Sequence, residues 1–247
     1  MHYGNMVQLP YTLRVMIKTV FFDLYYTLAC FKPSREEIQI EACKEFGIKL
    51  SLNSLIRANF VADSYFYAEN ARLPVFKRPP EEQFSFMVEY QKMLLKESGI
   101  DFSNELAAQI YQKAHQVDKQ LVLYEDAIPT FQMLKQSGIT LGLISNIDRD
   151  KGPVEELGLA SYLDFITTSP PDGKGKPHPQ IFFEALRQAG IQANDAIHIG
   201  DQYEIDVVGA RGVGITPVLL DRYHIMGEIT DCLKIYNLTE IISHLAI

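Results

Sequence analysis

Short apolar runs that each stop at a polar residue restrict the fold of this sequence more than any other feature. Residues 17–22 (IKTVFF) stop at Asp23, residues 139–144 (ITLGLI) at Ser145, and residues 196–199 (AIHI) at Gly200-Asp201. Phe165–Thr168 and Thr216–Leu220 are two further runs of the same length class. Continuous β-branched and aromatic runs of this length suit strands buried on both faces. Between them lie helical stretches over about 126–137, 152–159, 178–190 and 203–212, with Gly138 and Gly190 placed where helices stop. Strands alternating with helices predict a parallel, doubly wound sheet.

Residues 32–122 interrupt that alternation and read as four successive helices. The first begins at Pro33-Ser34, has acids in its first turn and ends at Gly47. The second spans about 52–72. The third follows Pro79-Pro80 and ends at Gly99, and the fourth follows Ser103 and extends to about Lys119. The expected organisation is therefore a Rossmann-like α/β core over 16–31 plus 123–247, a four-helix cap over 32–122, and an N-terminal extension over 1–15. A cap inserted after the first strand sits where it can close over the C-terminal strand ends, the ligand side of such sheets. The length of 247 residues suits a core with one such insertion.

Charge narrows the partners. The formal net charge of −8 repels nucleic acid and anionic lipid, so neither is expected as a partner. No run of about 18 apolar residues suggests a membrane span. The three cysteines, Cys30, Cys43 and Cys232, are odd in number and form no CxxC, which fits a reducing, cytoplasmic setting and no thiolate metal cage. A homo-oligomer is left open.

Four polar groups fall at strand ends or in adjoining loops: Asp23-Leu24-Tyr25-Tyr26-Thr27, Ser145-Asn146, Lys176-Pro177, and Gly200-Asp201 followed by Asp206. In a parallel sheet these ends lie side by side, so residues far apart in sequence converge. Carboxylates, one amine and one hydroxyl are suited to attack on a phosphoryl group: one carboxylate attacks, acidic oxygens hold a divalent ion, and the lysine and hydroxyl neutralise the equatorial oxygens.

In these ordered motifs the chain resembles the haloacid dehalogenase (HAD) superfamily, over about residues 16–31 and 123–222. The resemblance implies an enzyme in which Asp23 is the nucleophile, Ser145 donates to the transferred group with Asn146 beside it, and Lys176 balances charge. It further implies that Thr27 supports the first loop. Asp23, the backbone carbonyl of Tyr25, Asp201 and Asp206 would hold or orient Mg²⁺, a cation that prefers hard oxygen ligands. The substrate it implies is a small phosphorylated, or halogenated, metabolite.

One position departs from the pattern. Phosphatases of the family carry a second aspartate two residues after the first, to protonate the leaving group; here that position is Tyr25, whose reference pKa near 10 suits it poorly to that task. The L-2-haloacid dehalogenases carry D-x-Y-G-T, close to this D-L-Y-Y-T. Those enzymes work without metal and lack the Gly-Asp-x-x-x-x-Asp pair that this chain keeps, and neither Arg57 nor Arg72 stands out as their substrate-binding arginine. Three readings follow: a Mg²⁺-dependent phosphatase, a metal-independent dehalogenase, and a non-catalytic phospholigand binder. Plainer roles compete residue by residue. Lys174 rivals Lys176, His198 reads as a core histidine, and the aromatics Tyr65, Phe66, Phe84, Phe86 and Tyr90 read as the cap's own core.

Overall fold

The computed structural model describes residues 17–147, 152–169 and 174–245. The extension expected over 1–15 lies outside the described residues. In chain order the strands and α-helices are β1 Thr19–Phe22, β2 Ala29–Lys32, α1 Arg35–Lys44, α2 Leu52–Arg72, α3 Pro80–Glu97, α4 Asn104–His115, β3 Gln120–Leu123, α5 Ala127–Gln136, β4 Thr140–Ser145, α6 Gly152–Glu156, β5 Phe165–Thr168, α7 Pro179–Ala189, β6 Ala196–Gly200, α8 Val208–Gly212, β7 Thr216–Leu220 and β8 Leu233–Ile235.

Six strands form one parallel sheet in the order β5-β4-β1-β6-β7-β8. The first strand is central, and successive strands add outward to either side of it. Its neighbours, β4 and β6, bring Ser145 and Gly200-Asp201 to the edge at which β1 delivers Asp23. The backbone N–H of Asp23 donates to the Ile199 carbonyl at 2.9 Å, which extends the pairing to the nucleophile position itself.

Both faces of the sheet are covered, as the apolar runs require. Val20, Phe22, Leu141, Leu143, Ile197 and Ile199 pack on one side against Phe131 and Leu134 of α5. Phe21, Ile144 and Ala196 pack on the other against Phe182 of α7 and Ala210 of α8. Alternate residues of each strand serve opposite layers.

The helices of residues 35–115 have their own core, in which Ala42, Cys43, Leu55, Ala58, Ala62, Leu94, Leu95 and Ile110 are buried together. Three of them start on serine caps. Ser34 forms a full capping box with Glu37, Ser51 accepts from the Ser54 N–H, and Ser103 accepts from the Leu106 N–H. The fourth helix ends at His115 rather than near Lys119, because the chain turns there to enter β3. That strand and β2 form an antiparallel pair, Ala29↔Leu123 to Lys32↔Gln120, at the two ends of the insertion. The sequence reading had no strand at either place, and it also lacked β8.

The stretch 203–212 is not one regular helix. Tyr203–Val207 is a π-helical turn and α8 follows it. The extra residue per turn swings Asp206 inward; such bulges recur at functional sites. No described helix is long and apolar enough to cross a membrane.

Candidate functional site

Lys176 is the hub of the site. It is 4% exposed, and its Nζ lies 2.6 Å from Asp23 Oδ1 and 2.6 Å from Asp206 Oδ1. An ammonium this deep is tolerated because it is paired on two sides. The lysine is held by its backbone: Asn146 Nδ2 donates to its carbonyl at 2.8 Å, and its N–H donates to Asn146 Oδ1 at 2.6 Å. Both ends of the Asn146 amide are thus spent on placing Lys176.

Asp206 accepts from three groups. Lys176 Nζ and His198 Nε2, the latter at 2.9 Å, share Oδ1, while the Gln202 N–H donates to Oδ2 at 3.0 Å. His198 is fully buried on β6, edge-on to Phe182, so it is a core histidine that also touches the site. Burial lowers the His198 pKa and keeps the ring neutral, which makes Nε2–H the donor toward Asp206. Its Nδ1 has no hydrogen-bond partner among the described residues. Burial alone would raise the Asp206 pKa, but Lys176 and His198 outweigh it and hold this carboxyl well below the usual range. Gly200 makes the approach feasible, since a Cβ there would overlap the Asp206 carboxylate.

Asp201 completes the cluster. Thr27 Oγ1 donates to its Oδ1 at 3.3 Å, and Gln202 Nε2 donates to its Oδ2 at 2.9 Å. Among the described residues no salt bridge to it is formed. Burial, then the charges of Asp23 and Asp206, push its pKa up to about 8. The Asp23 carboxyl is raised by burial as well, against the pull of Lys176.

Three carboxylates therefore face one ammonium, and carboxylate oxygens of Asp23, Asp201 and Asp206 lie within 4.8 Å of one another. Octahedral Mg²⁺ with bonds of about 2.0–2.1 Å spaces its oxygens about 3.0–4.2 Å apart. The donor type, the excess negative charge and the spacing fit that ion after a small contraction.

Ser145 is buried at the tip of β4, next to Thr168 of β5. Tyr25 is half-buried and stacks on Phe31 with ring centroids 5.7 Å apart. Its hydroxyl is pushed to a higher pKa by burial and by the negative charges of Asp23 and Glu156, which keeps it protonated. Tyr26, at the glycine position of D-x-Y-G-T, has φ +61°, a left-handed conformation that disfavours a side chain. The Arg35 guanidinium lies 4.2 Å over its ring.

Two buried ionic groups that sequence reading missed brace the first loop. Arg35 of α1 pairs with Asp63 of α2 at 2.6 Å, and Tyr90 of α3 donates to the same carboxylate at 2.7 Å. On the other side, Arg222 grips Asp126 with two hydrogen bonds of 2.8 and 3.0 Å and donates to the Thr27 carbonyl at 2.7 Å. No local motif marks these residues, because each partner comes from a distant element.

The haloacid dehalogenase-like hydrolase family model matches residues 17–214. The chain is 35% identical over 101 residues to haloacid dehalogenase-like hydrolase domain-containing protein 3 of Danio rerio, a stretch covering 40% of this chain and 42% of that protein. Less than half the length of that relative is therefore matched. It is 27% identical over 213 residues to the glyceraldehyde 3-phosphate phosphatase of Methanopyrus kandleri, across 84% of this chain and 85% of that one. Among solved structures, a magnesium-bound HAD hydrolase of Bacillus subtilis superposes with a TM-score of 0.62 at 19% identity, covering 94% of this chain and all (100%) of that one. The chain belongs to the haloacid dehalogenase-like hydrolases.

Proposed function

We propose that this protein is a Mg²⁺-dependent phosphatase of small phosphorylated metabolites, working through an aspartyl-phosphate on Asp23. The observation that carries this reading is the Lys176 ammonium seated between Asp23 and Asp206, with the Asp201 carboxylate gathered beside them and, among the described residues, in no salt bridge. A phosphatase relative matched over most of both chains supports the same reaction class.

In this reading Asp23 and Asp201, with the carbonyl of Tyr25, hold the ion. Asp206, already accepting from Lys176, His198 and Gln202, would add negative charge beside the ion and keep Lys176 in place. When bound, the ion would supply charge neutralisation at the phosphoryl oxygens. The free oxygen of Asp23 attacks phosphorus as the bond to the leaving oxygen breaks. Ser145 and Lys176 bind the equatorial oxygens. The leaving oxygen takes its proton from water, since burial and the charges of Asp23 and Glu156 make the Tyr25 hydroxyl too weak an acid to give up its own. Water then attacks phosphorus, releasing inorganic phosphate and restoring the Asp23 carboxylate. Without a carboxylic acid at position 25, good leaving groups such as acyl phosphates are favoured. The helices of residues 32–122 serve as a cap on the core formed by 16–31 and 123–247.

The test is turnover of acetyl phosphate and p-nitrophenyl phosphate with and without Mg²⁺, using Asp23→Asn as the blank. Metal-dependent turnover lost in the variant supports the reading, and its absence at every metal concentration refutes it. Tyr25 favours a second reading, a metal-independent 2-haloacid dehalogenase. Halide release from 2-chloropropionate in EDTA, lost in Asp23→Asn, would establish that one instead.

A further inference from the structure

A cavity of about 740 Å³ lies between α2 and the loops that follow β6 and β7. Its walls are largely apolar: Phe60, Tyr67 and Ala68 from the helix, Ile205 from the π turn, and Met226 and Ile229 from the loop after β7. It adjoins the carboxylate cluster. Pro177, the residue after Lys176, and Gln202, which donates to Asp201, both line it. The hydroxyl of Tyr67 is kept protonated by burial and by the charges of Asp63, Asp201 and Asp23, so this side chain lies in the field of the reacting groups.

The charges around the cavity are selective. Among its described lining residues none is cationic, and Glu204 is the one charged group. The arginines of a neighbouring crevice of about 40 Å³ are already committed, Arg35 to Asp63 and Glu36, Arg222 to Asp126, and the Lys234 ammonium donates to the Met226 and Gly227 carbonyls. A second phosphate or a carboxylate on the substrate would meet no cationic side chain among the described lining residues, and a buried anion without a partner is costly.

We propose that this cavity is the leaving-group subsite, and that it selects phosphate monoesters or acyl phosphates whose organic part is uncharged and largely apolar over bisphosphorylated compounds. The inference rests on the phosphoryl site proposed above. The volume is in the range of small-ligand sites. Tyr67 donates a hydrogen bond at the polar end, where the organic group joins the phosphoryl group, and the aliphatic side chains receive the rest.

The test is calorimetric binding of non-hydrolysable probes to the full chain with saturating Mg²⁺. Inorganic phosphate is compared with phenylphosphonate, and propylphosphonate with propane-1,3-bisphosphonate. A single methylene in an apolar pocket is worth roughly 10- to 200-fold, so phenylphosphonate is expected to bind at least about tenfold more tightly than phosphate. The bisphosphonate is expected to bind more weakly than propylphosphonate. Ala68 is exposed on α2, so Ala68→Trp narrows the cavity without disturbing a packed core and should cut the phenylphosphonate-to-phosphate ratio about fivefold or more. Equal binding of phosphate and phenylphosphonate, or tighter binding of the bisphosphonate, overturns the subsite and leaves the phosphoryl site standing. No binding of either simple probe overturns both. A concentration-dependent dimer in sedimentation, dissociated by Ala68→Trp, would give the cavity to a second copy of the chain and overturn it as well.

Discussion

Replacing Lys176 by methionine keeps the length of the side chain and removes the one positive charge between Asp23 and Asp206. In the native site Nζ is 2.6 Å from each carboxylate, and the lysine is almost wholly buried. Breaking a buried ion pair by deleting one member costs about 3–5 kcal/mol, because the remaining charge stays desolvated. For a domain of this size each kcal/mol moves the melting temperature by about 2–4 °C. Lys176→Met is therefore expected to melt about 6–20 °C lower than the parent in EDTA at pH 7.5. The sign of the pH dependence follows from Asp206. Its folded pKa is depressed, so its stabilising contribution is present above the unfolded carboxylate value near 4 and is lost as pH falls through the folded one. In the variant only His198 and the Gln202 N–H still donate to Asp206, and without the lysine charge burial drives its carboxyl up, so it takes a proton in the folded state more readily. The gap between the two proteins should be widest at neutral pH and should narrow as acid neutralises the cluster. Adding Mg²⁺ at 100 times its Kd should return about 2.7 kcal/mol to either protein that binds it. The assay is thermal unfolding followed by circular dichroism from pH 4 to 8, with and without the ion. A loss under about 1 kcal/mol, constant across that range, would refute the view that the lysine is the counter-ion of a buried acidic pair.

Tyr25→Asp places a carboxyl group beside the nucleophile and should raise turnover of p-nitrophenyl phosphate by about 10²- to 10⁴-fold, read as kcat with saturating Mg²⁺. Asp201 behaves oppositely to Asp206 in its linkage. Its folded pKa is raised to about 8, so in EDTA its share of stability is intact below about pH 4 and is lost as pH climbs toward 8. Mg²⁺ should therefore stabilise the protein progressively more over that interval, as measured by melting at each pH. Asp126→Ala strands Arg222, which also holds the Thr27 carbonyl. It should cost about 3–5 kcal/mol in urea unfolding and lower kcat/KM through the loosened first loop. Gly200→Ala drives a methyl group into the Asp206 carboxylate; Mg²⁺-induced stabilisation should fall, while the same change at exposed Gly227 should leave it intact.

The parallel strands were readable because each is a short apolar run buried on both faces, a local property of the chain. The starts of α1, α2 and α4 have a local cause in serine caps, and those of α1 and α4 were read from them. The hairpin of β2 and β3 was not legible. Its strands are four residues each and about ninety positions apart, and each becomes a strand only through the other. The same holds for β8, which exists by pairing with β7.

At the site, residue types and their order along the chain belonged to the sequence: Ser145 ends a strand, and Asp23, Lys176, Asp201 and Asp206 each come after one. Their distances did not. That Asn146 spends its amide on the Lys176 backbone, that His198 reaches through the core to Asp206, and that Asp201 pairs with the polar Thr27 and Gln202 side chains rather than with Lys176 are outcomes of packing. The Arg35–Asp63 and Arg222–Asp126 pairs have the same origin. An ionic pair forms where the folded chain excludes water from two charges at once, and a linear order of residues carries no record of which charges will meet. Local periodicity determined the layers of this protein; only tertiary closure decided which carboxylate is paired and which keeps a place for an ion.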